Sequence, residues 1–298
     1  MALASPNHSL VYLNGNIYEP KDAKVSVFDR GFLFGDGVYE TGRSYERCPL
    51  FLEEHWARLI HSGQRLGIPL PWSEEELTRS LLKTATQFGE PNIYFRTIVT
   101  RGVIERVSLD LTQELSPTLV HIVQSLPPNL EERSRLGTRL ATSRVVRNSS
   151  EAQDPNIKTS NYLNSLLALQ DARSQGAEDA VMCDAKGVVT EGTTFSVFGV
   201  TQDHTLITPA LGVGILDSIT RRHILQIAQK EMKVEEGSFS VADFLSCEEC
   251  FIASSVREIR WVRQWDSRQF GAIGEVTKAL HEKLKTVIQN YVATHPKF

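Results

Sequence analysis

Residues 154–164 read Asp-Pro-Asn-Ile-Lys-Thr-Ser-Asn-Tyr-Leu-Asn, and Lys158 within them is the most informative residue of the chain. A short extended stretch precedes this lysine and a helix is predicted to follow it, so rigid elements would hold the amine from both sides. Tyr162 comes near the predicted start of that helix, where its hydroxyl can face the same ligand. Such an amine is well placed to form a Schiff base with an aldehyde cofactor. Because most lysines are simply solvated, this interpretation depends on the residues that accompany Lys158.

The composition narrows the class of protein. The chain has 298 residues, 41% of them hydrophobic, which is enough for one large domain or two domains of about 150 residues. Its formal net charge of -4 argues against nucleic acid as a main partner, because phosphate binding needs a basic face. No apolar run approaches the ~18 residues of a membrane span, and residues 1–10 do not resemble a signal peptide. We therefore expect a cytoplasmic protein that acts on small molecules, with neither a membrane nor a nucleic acid as partner.

Neither the cysteines nor the histidines predict a metal site. The four cysteines are scattered, which is typical of a cytosolic protein and not of a disulfide framework. Cys247-Glu-Glu-Cys250 is compatible with a redox pair or half of a zinc site, but no second such pair accompanies it and an apolar strand follows at once. We therefore expect a structural pair at a strand edge. His55 and His61 are six residues apart and do not share a helix face.

The first half of the chain mixes strands and helices. An Asn14-Gly15 turn between two apolar runs predicts a hairpin. Gly67 is expected to end one helix, and Ser73 with Glu76 forms the capping box of the next. The predicted strands are 11–13, 16–18, 25–28, 38–44, 49–52, 93–100 and 118–124, and the predicted helices are 53–66 and a second one from 73 to about 89.

Two prolines at 127 and 128 mark the best candidate for a linker. They divide the chain into a small N-terminal domain (1–125), a linker (126–133) and a large cofactor-binding domain (134–298). The second domain is richer in short strands. Its predicted strands are 139–147, 180–184, 188–191, 195–200 and 251–254, and its predicted helices are 161–175 and 218–232.

Two further segments of the second half suggest a charged, phosphorylated ligand. Glu191 lies among β-branched residues on a predicted strand, where a buried carboxylate needs a cationic partner such as a protonated pyridine nitrogen. The alternative is a surface glutamate at a strand end, with Gly192 marking a bend. Residues 211–220 lead from a strand into a helix whose first amides favour phosphate. They are also a near match to the dinucleotide fingerprint, but Asp217 stands where a small residue is needed, which disfavours that reading.

Taken together, these residues resemble the fold-type-IV pyridoxal-phosphate (PLP) aminotransferases. That family includes branched-chain aminotransferases, D-amino-acid aminotransferases and aminodeoxychorismate lyases. The resemblance extends from Val11 to about Val276 and rests on five motifs in order. They are residues 28–40 (Phe-Asp-Arg-Gly-Phe-Leu-Phe-Gly-Asp-Gly-Val-Tyr-Glu), His55-x-x-Arg58-Leu59, residues 156–164, Thr190-Glu191-Gly192 and Ile219-Thr220-Arg221.

The resemblance implies a role for each of these residues. Lys158 would carry PLP as a Schiff base and then move protons, Tyr162 would bind the phenolic oxygen of PLP, and Glu191 would pair with its ring nitrogen. The phosphate would be bound by Arg58, Ile219, Thr220 and Ser255. Two positions depart from the family pattern, since Arg257 replaces a small residue and Ser218 replaces a glycine. No metal is implied.

The sequence constrains the identity of the substrate less than that of the cofactor. Tyr94 and Arg96 match the Tyr-x-Arg of branched-chain enzymes, with Phe34 and Tyr39 expected to line the side-chain pocket. This favours transfer between a branched-chain L-amino acid and a 2-oxo acid such as 2-oxoglutarate, by ping-pong kinetics. A D-amino-acid aminotransferase is the alternative, in which Arg106 would hold the carboxylate, although the histidine usual beside that arginine is absent. An aminodeoxychorismate lyase is disfavoured because its lysine segment usually lacks the Asn-Tyr found here, and a non-catalytic cofactor carrier because Lys158 and Glu191 are both retained.

The resemblance also implies the architecture. We expect an α/β (α+β) protein with a smaller N-terminal α/β sandwich and a larger C-terminal domain built on a pseudo-barrel sheet. The cofactor would lie between the two domains. The family further implies a homodimer in which each active site is completed across the subunit interface.

Overall fold

The structure, a computed structural model, describes residues 9–298, and these residues form two compact units. Unit 1 contains the chain up to Pro128 together with Ile157–Asn161 and Asn290–Phe298. Unit 2 contains Asn129–Asn156 and Tyr162–Gln289. The short segment that carries Lys158 therefore belongs to unit 1, although it lies far along the chain. The domain limits expected from the sequence stay a prediction.

Unit 1 is an antiparallel sheet covered by two helices. The sheet order is β2-β1-β6-β5-β3-β4. Its elements are β1 (Ser9–Leu13), β2 (Asn16–Tyr18), α1 (Arg30–Phe34), β3 (Gly37–Tyr45), β4 (Cys48–Pro49), α2 (Leu52–Leu66), α3 (Glu74–Phe88), β5 (Ile93–Thr100) and β6 (Thr118–Ser125). The hairpin at Asn14-Gly15, the end of α2 at Gly67 and the capping box of Ser73 and Glu76 are all confirmed.

The core of unit 1 lies between α2, α3 and one face of the sheet. Trp56 and Leu59 of α2 and Leu77 and Leu81 of α3 are buried there against Phe95 of β5. Each such side chain contributes about 1.5–3 kcal/mol when it leaves water. This packing leaves the opposite face of the sheet to carry other side chains.

Unit 2 is built on a mixed nine-stranded sheet with the order β12-β11-β10-β13-β14-β7-β8-β9 and β15 paired to β14. Its strands are β7 (Thr138–Thr142), β8 (Asp179–Cys183), β9 (Val189–Gly192), β10 (Ser196–Val200), β11 (Leu206–Pro209), β12 (Val234–Gly237), β13 (Glu249–Ser254), β14 (Glu258–Trp265) and β15 (Arg268–Gln269). Its helices are α4 (Leu130–Leu136), α5 (Leu163–Ser174), α6 (Ile219–Ala228), α7 (Val241–Leu245) and most of α8 (Glu275–Thr294). The predicted mixture of helices and strands is confirmed.

Several element predictions were wrong or incomplete. Residues 25–28 do not form a strand, and Val25, Val27 and Phe28 are exposed in an irregular segment. The strand predicted at 139–147 ends at Thr142, although Arg147 still donates its backbone N–H to Cys183 O. Part of the predicted linker is helical, since α4 begins at Leu130.

No helix among residues 9–298 is long and apolar enough to cross a membrane.

Candidate active site

Lys158 is held against the edge of β3 in unit 1. Tyr39 donates its backbone N–H to Lys158 O at 3.0 Å, and Ser160 donates to Gly37 O at 3.1 Å. The backbone N–H of Lys158 donates to the Ser62 hydroxyl of α2 at 3.1 Å. The backbone of the lysine is therefore fixed on both sides, and only its side chain is left to move.

Aromatic and cationic side chains surround the Lys158 amine. Its Nζ lies 4.6 Å from the centre of the Tyr39 ring, and the Arg96 guanidinium lies 3.8 Å from the centre of the same ring. Arg96 and Tyr94 are two residues apart on β5 and so lie on one face of the sheet. The structure thus brings Lys158, Tyr39 and Arg96 together and places Tyr94 on the face that carries Arg96.

The other two substrate candidates of unit 1 lie in different surroundings. Phe34 is the last residue of α1, and the Arg30 guanidinium lies 5.1 Å from its ring centre. Arg106 is exposed in the segment between β5 and β6 and joins none of the contacts around Lys158. Arg101, which precedes it, instead forms an ion pair with Asp36 at 2.7 Å.

Arg58 is anchored by a buried glutamate, Glu40, which was not predicted from the sequence as its partner. Its Nε donates to Glu40 Oε1 at 2.6 Å and its Nη2 to Glu40 Oε2 at 2.8 Å. His55 Nδ1 lies 2.7 Å from the same Oε2, and Glu40 is fully buried. Burial acts to raise the pKa of Glu40, but the charges and hydrogen bonds of Arg58 and His55 outweigh it and hold that pKa well below its usual range. The available signal was that His55 and Arg58 are three residues apart on one helix face.

In unit 2, Glu191 lies on β9 as predicted, and it is only 9% exposed. Its Oε1 accepts a hydrogen bond from Arg147 Nη2 at 2.6 Å, and its Oε2 accepts one from the backbone N–H of Leu216 at 3.2 Å. Burial rules out the alternative of a surface glutamate at a strand end. Arg147 was not predicted as a partner of Glu191, because the sequence pattern placed it in a strand from 139 to 147.

The first turn of α6 presents the amides of Ile219 and Thr220. The Ser218 hydroxyl caps the helix by accepting from the backbone N–H of Arg221 at 3.3 Å. The amides of a first helical turn have no acceptor within the helix, so they are suited to an anion. Arg221 is itself buried and donates to Pro209 O at 2.8 Å, which fixes the helix start to the end of β11.

The remaining candidates also belong to unit 2. Tyr162 is the N-cap residue of α5, which begins at Leu163, two residues later than the helix predicted at 161–175. Ser255 lies in the turn between β13 and β14. Cys247 and Cys250 are both buried in the core of unit 2, beside Phe244 and Trp265. This packing agrees with the structural role expected for the pair.

Comparisons with known proteins define the class. Residues 37–265 match the model of the family described as amino-transferase class IV. A putative branched-chain-amino-acid aminotransferase of Methanocaldococcus jannaschii is 38% identical over 280 residues, which cover 93% of this chain and 96% of that protein. A D-alanine aminotransferase of Staphylococcus epidermidis is 31% identical over 287 residues (94% and 98%), and an aminodeoxychorismate lyase of Bacillus subtilis is 30% identical over 287 residues (95% and 96%).

The fold agrees with a solved member of the same group. The crystal structure of a branched-chain aminotransferase from Thermoproteus uzoniensis, with norvaline, has a TM-score of 0.87, 27% identity and 95% coverage of both chains. The predicted fold class, including the curled sheet of the larger part, is thereby confirmed. The chain belongs to the class IV aminotransferases, and it is an enzyme that acts as a transaminase.

Proposed function

We propose that this enzyme uses PLP to move an amino group between a branched-chain L-amino acid and a 2-oxo acid such as 2-oxoglutarate. The observation that carries the proposal is the Lys158 amine, which lies at the Tyr39 ring while its backbone is fixed to β3 and α2. A fixed backbone with a mobile amine is what a lysine needs to hold a cofactor aldehyde as a Schiff base and then to be displaced from it.

The chemistry of each candidate donor group suits one part of PLP. The Glu191 carboxylate, already polarised by Arg147 and the Leu216 amide, suits a protonated ring nitrogen. The first amides of α6, with the hydroxyls of Thr220 and Ser255, suit a phosphate. Arg58 would add a guanidinium oriented by Glu40, and Tyr162 would donate to the phenolic oxygen.

PLP, when bound, supplies an electron sink for the charge left at the substrate α-carbon. The residues of the chain do the rest. The Lys158 Nζ would take the proton from the substrate α-carbon and deliver it to the former aldehyde carbon of PLP, and the Tyr39 ring would lie beside the amine while it carries that proton. The Glu191 carboxylate would keep the ring nitrogen of PLP protonated throughout this proton transfer. The positive charge on that nitrogen would stabilise the transition state electrostatically.

Substrate choice is proposed from the face that carries Arg96. Arg96 stacks on Tyr39 within reach of Lys158, which suits a substrate carboxylate, and Tyr94, Tyr39 and Phe34 add aromatic surface for an aliphatic side chain. The 38% identity to the archaeal branched-chain relative supports this choice. The D-alanine and lyase relatives support the alternatives, with Arg106 as the carboxylate anchor in a D-amino-acid enzyme.

The visible absorbance of the PLP-loaded protein tests substrate choice directly. L-leucine and, separately, D-alanine are titrated while the cofactor band is recorded. Bleaching by L-leucine alone supports the branched-chain proposal. Bleaching by D-alanine alone replaces it with the D-amino-acid alternative, and Arg106→Met should then abolish the response. A protein that forms no such band with PLP would overturn the cofactor assignment.

We also propose a homodimer. Large apolar side chains are exposed on each unit when it is considered by itself. They include Val103, Val107, Leu109 and Leu111 in unit 1 and Leu163, Leu166 and Leu167 in unit 2, all 45–74% exposed. Single exposed leucines are ordinary, but clusters of this kind usually mark an interface, and homo-oligomers most often pair by two-fold symmetry. Light scattering should give twice the mass of 33.4 kDa, and Leu163→Glu with Leu166→Glu should shift it towards the monomer.

The cell compartment is proposed as cytoplasmic, from the unpaired cysteines. All four cysteines are free thiols. Fractionation of the source cells would test this assignment.

A further inference from the structure

Two loops of unit 2 lie side by side at the ends of neighbouring strands of its sheet. One is the bend at residues 193–195 between β9 and β10, and the other is the turn at residues 255–257 between β13 and β14. β10 and β13 are antiparallel neighbours in which Ser196 lies opposite Ala253. The first loop begins two residues after Glu191 and the second begins at Ser255, so both lie close in sequence to residues proposed to bind the cofactor.

Arg257 connects the two loops. Its Nη2 donates to the Thr194 hydroxyl at 3.2 Å and to Asp179 Oδ2 at 2.9 Å. Its guanidinium also lies 5.3 Å from the centre of the Phe195 ring. Its own backbone N–H donates to the Ser254 hydroxyl at 3.4 Å, which tightens the turn that carries Ser255.

Asp179 gives this connection a rigid base. It is 7% exposed at the start of β8. Its Oδ1 accepts from the Thr193 hydroxyl at 2.5 Å and from the backbone N–H of Ala180 at 3.0 Å. One carboxylate therefore holds the bend through Thr193 and the turn through Arg257. A buried carboxylate shared in this way resists displacement, because moving the turn would separate Arg257 from Asp179 and moving the bend would remove the Thr193 hydrogen bond from the same carboxylate.

We infer that Arg257 is a positioning residue that fixes the spacing between Glu191 and Ser255. This inference rests on the proposed function, in which Glu191 meets the ring nitrogen of PLP and Ser255 its phosphate. The distance between those two groups is set by the covalent structure of PLP, so the protein must hold its two partners at a matching distance. Arg257 sets this distance by holding the two loops together, and it acts on Glu191 and Ser255 only through those loops.

Replacement of Arg257 should weaken the binding of PLP more than the binding of a ligand that lacks the phosphate. In Arg257→Met the turn is released from the bend, so PLP should bind at least about tenfold more weakly. Pyridoxal has the same ring and aldehyde but no phosphate, and it does not sense the spacing. Its affinity should fall less than about threefold. Both dissociation constants are measured on the apoprotein from the absorbance of the bound aldehyde.

Three variants separate positioning from simple stability. Arg263→Met removes an arginine of β14, which pairs with Glu178 at 3.3 Å, and it should leave the ratio of PLP to pyridoxal affinity unchanged. Arg257→Met with Asp179→Asn removes both charges, so it should regain thermal stability without regaining that ratio. Arg257→Lys keeps a charge without the planar fork and should lie between parent and Arg257→Met.

Two failures have different meanings. If the parent protein binds neither PLP nor pyridoxal, the proposed function fails. If the parent discriminates strongly and Arg257→Met discriminates equally well, the positioning role is wrong. A double variant that recovers both stability and discrimination would also overturn it, because the contribution of Arg257 would then be only to neutralise Asp179.

Discussion

Three buried carboxylates are paired with arginines from other parts of the chain. Glu40 pairs with Arg58 across 18 residues of sequence, Glu191 with Arg147 across 44, and Asp179 with Arg257 across 78. Burial of each of these carboxylates without a partner would cost free energy. The arginine balances the charge and fixes the orientation of the carboxylate. The sequence predicted that Glu191 lies on a strand and that Lys158 precedes a helix, because both depend on local patterns. It predicted none of the pairs, because they depend on which strands become neighbours.

Replacement of Lys158 tests the centre of the proposed reaction. Lys158→Ala should lower turnover more than about a thousandfold, because it removes the amine that lies at the Tyr39 ring and is proposed to move the proton. Lys186→Ala is the matched control, since Lys186 is exposed in the turn before β9. Coupled-enzyme assays of both variants give the comparison. Ordinary transamination by Lys158→Ala would sink the assignment.

Replacement of Glu191 separates catalysis from binding. Glu191→Gln keeps the size of the side chain and removes the charge that Arg147 now balances. Proton abstraction should slow at least about tenfold while the affinity for PLP changes less than about threefold, because the phosphate contacts remain. Exchange of the substrate α-deuterium, followed by NMR, measures the first quantity, and equilibrium dialysis measures the second. Equal exchange rates in variant and parent would contradict the role.

At the scale of elements, sequence patterns predicted helices and strands correctly where the signal lies within the element itself. The C-terminus of α2 and the N-terminus of α3 were predicted correctly, because their signals, Gly67 and the Ser73 capping box, are local in sequence. The strand predicted at 25–28 was wrong, because alternating apolar residues do not by themselves provide a neighbouring strand. A strand without such a neighbour is not stable. α8 was missed although Leu280, Leu284, Ile288 and Val292 are buried at intervals of four residues, which is a legible helical stripe.

The end of α1 fixes the segment that carries Lys158, and a glycine makes that contact possible. Gly35 has a φ of 67°, and a Cβ added there would lie 2.4 Å from Asn161 Oδ1. Asn161 also donates to Gly35 O at 3.3 Å. Gly67 at the end of α2 has a similar φ of 62° but no atom within 4 Å of an added Cβ. The two glycines therefore differ in contact and not in backbone conformation.

Alanine at these two positions should give different results. Gly67→Ala should cost about 1 kcal/mol of unfolding free energy, which is the usual cost of a left-handed residue with a side chain. Gly35→Ala should cost about 0.5–1.5 kcal/mol more, since the exposed Asn161 side chain must move and lose its hydrogen bond to Gly35 O, and it should also slow formation of the PLP band at Lys158. Urea denaturation and stopped-flow absorbance measure the two effects. Equal losses in both variants would show that the Asn161 contact does not matter.

At the scale of the whole molecule, a buried histidine of unit 1 makes the stability of the fold depend on pH. His121 is fully buried there, and its ring nitrogens lie 2.8 Å from the hydroxyls of Ser80 and Thr97. Burial lowers the pKa of His121 to about 3. In the unfolded chain the same ring takes a proton near pH 6.5. Because the folded pKa is depressed, the contribution of His121 to stability is complete above pH 6.5 and is lost progressively as the pH falls from 6.5 towards 3.

The resulting prediction concerns thermal stability between pH 7.5 and pH 5, above the range in which most carboxylates take up protons. The parent should lose up to about 1.4 kcal/mol per pH unit through His121 below pH 6.5, so its Tm should fall steadily in calorimetry. His121→Gln can still hydrogen-bond Ser80 and Thr97 but cannot be protonated, so its Tm should be lower at pH 7.5 and nearly flat to pH 5. His61→Gln, at an exposed position of α2, should follow the parent. Glu40, whose pKa is held down, adds its own loss only at lower pH, because a depressed carboxyl stabilises above its unfolded pKa. A His121→Gln profile as steep as that of the parent would show that another group controls the acid response.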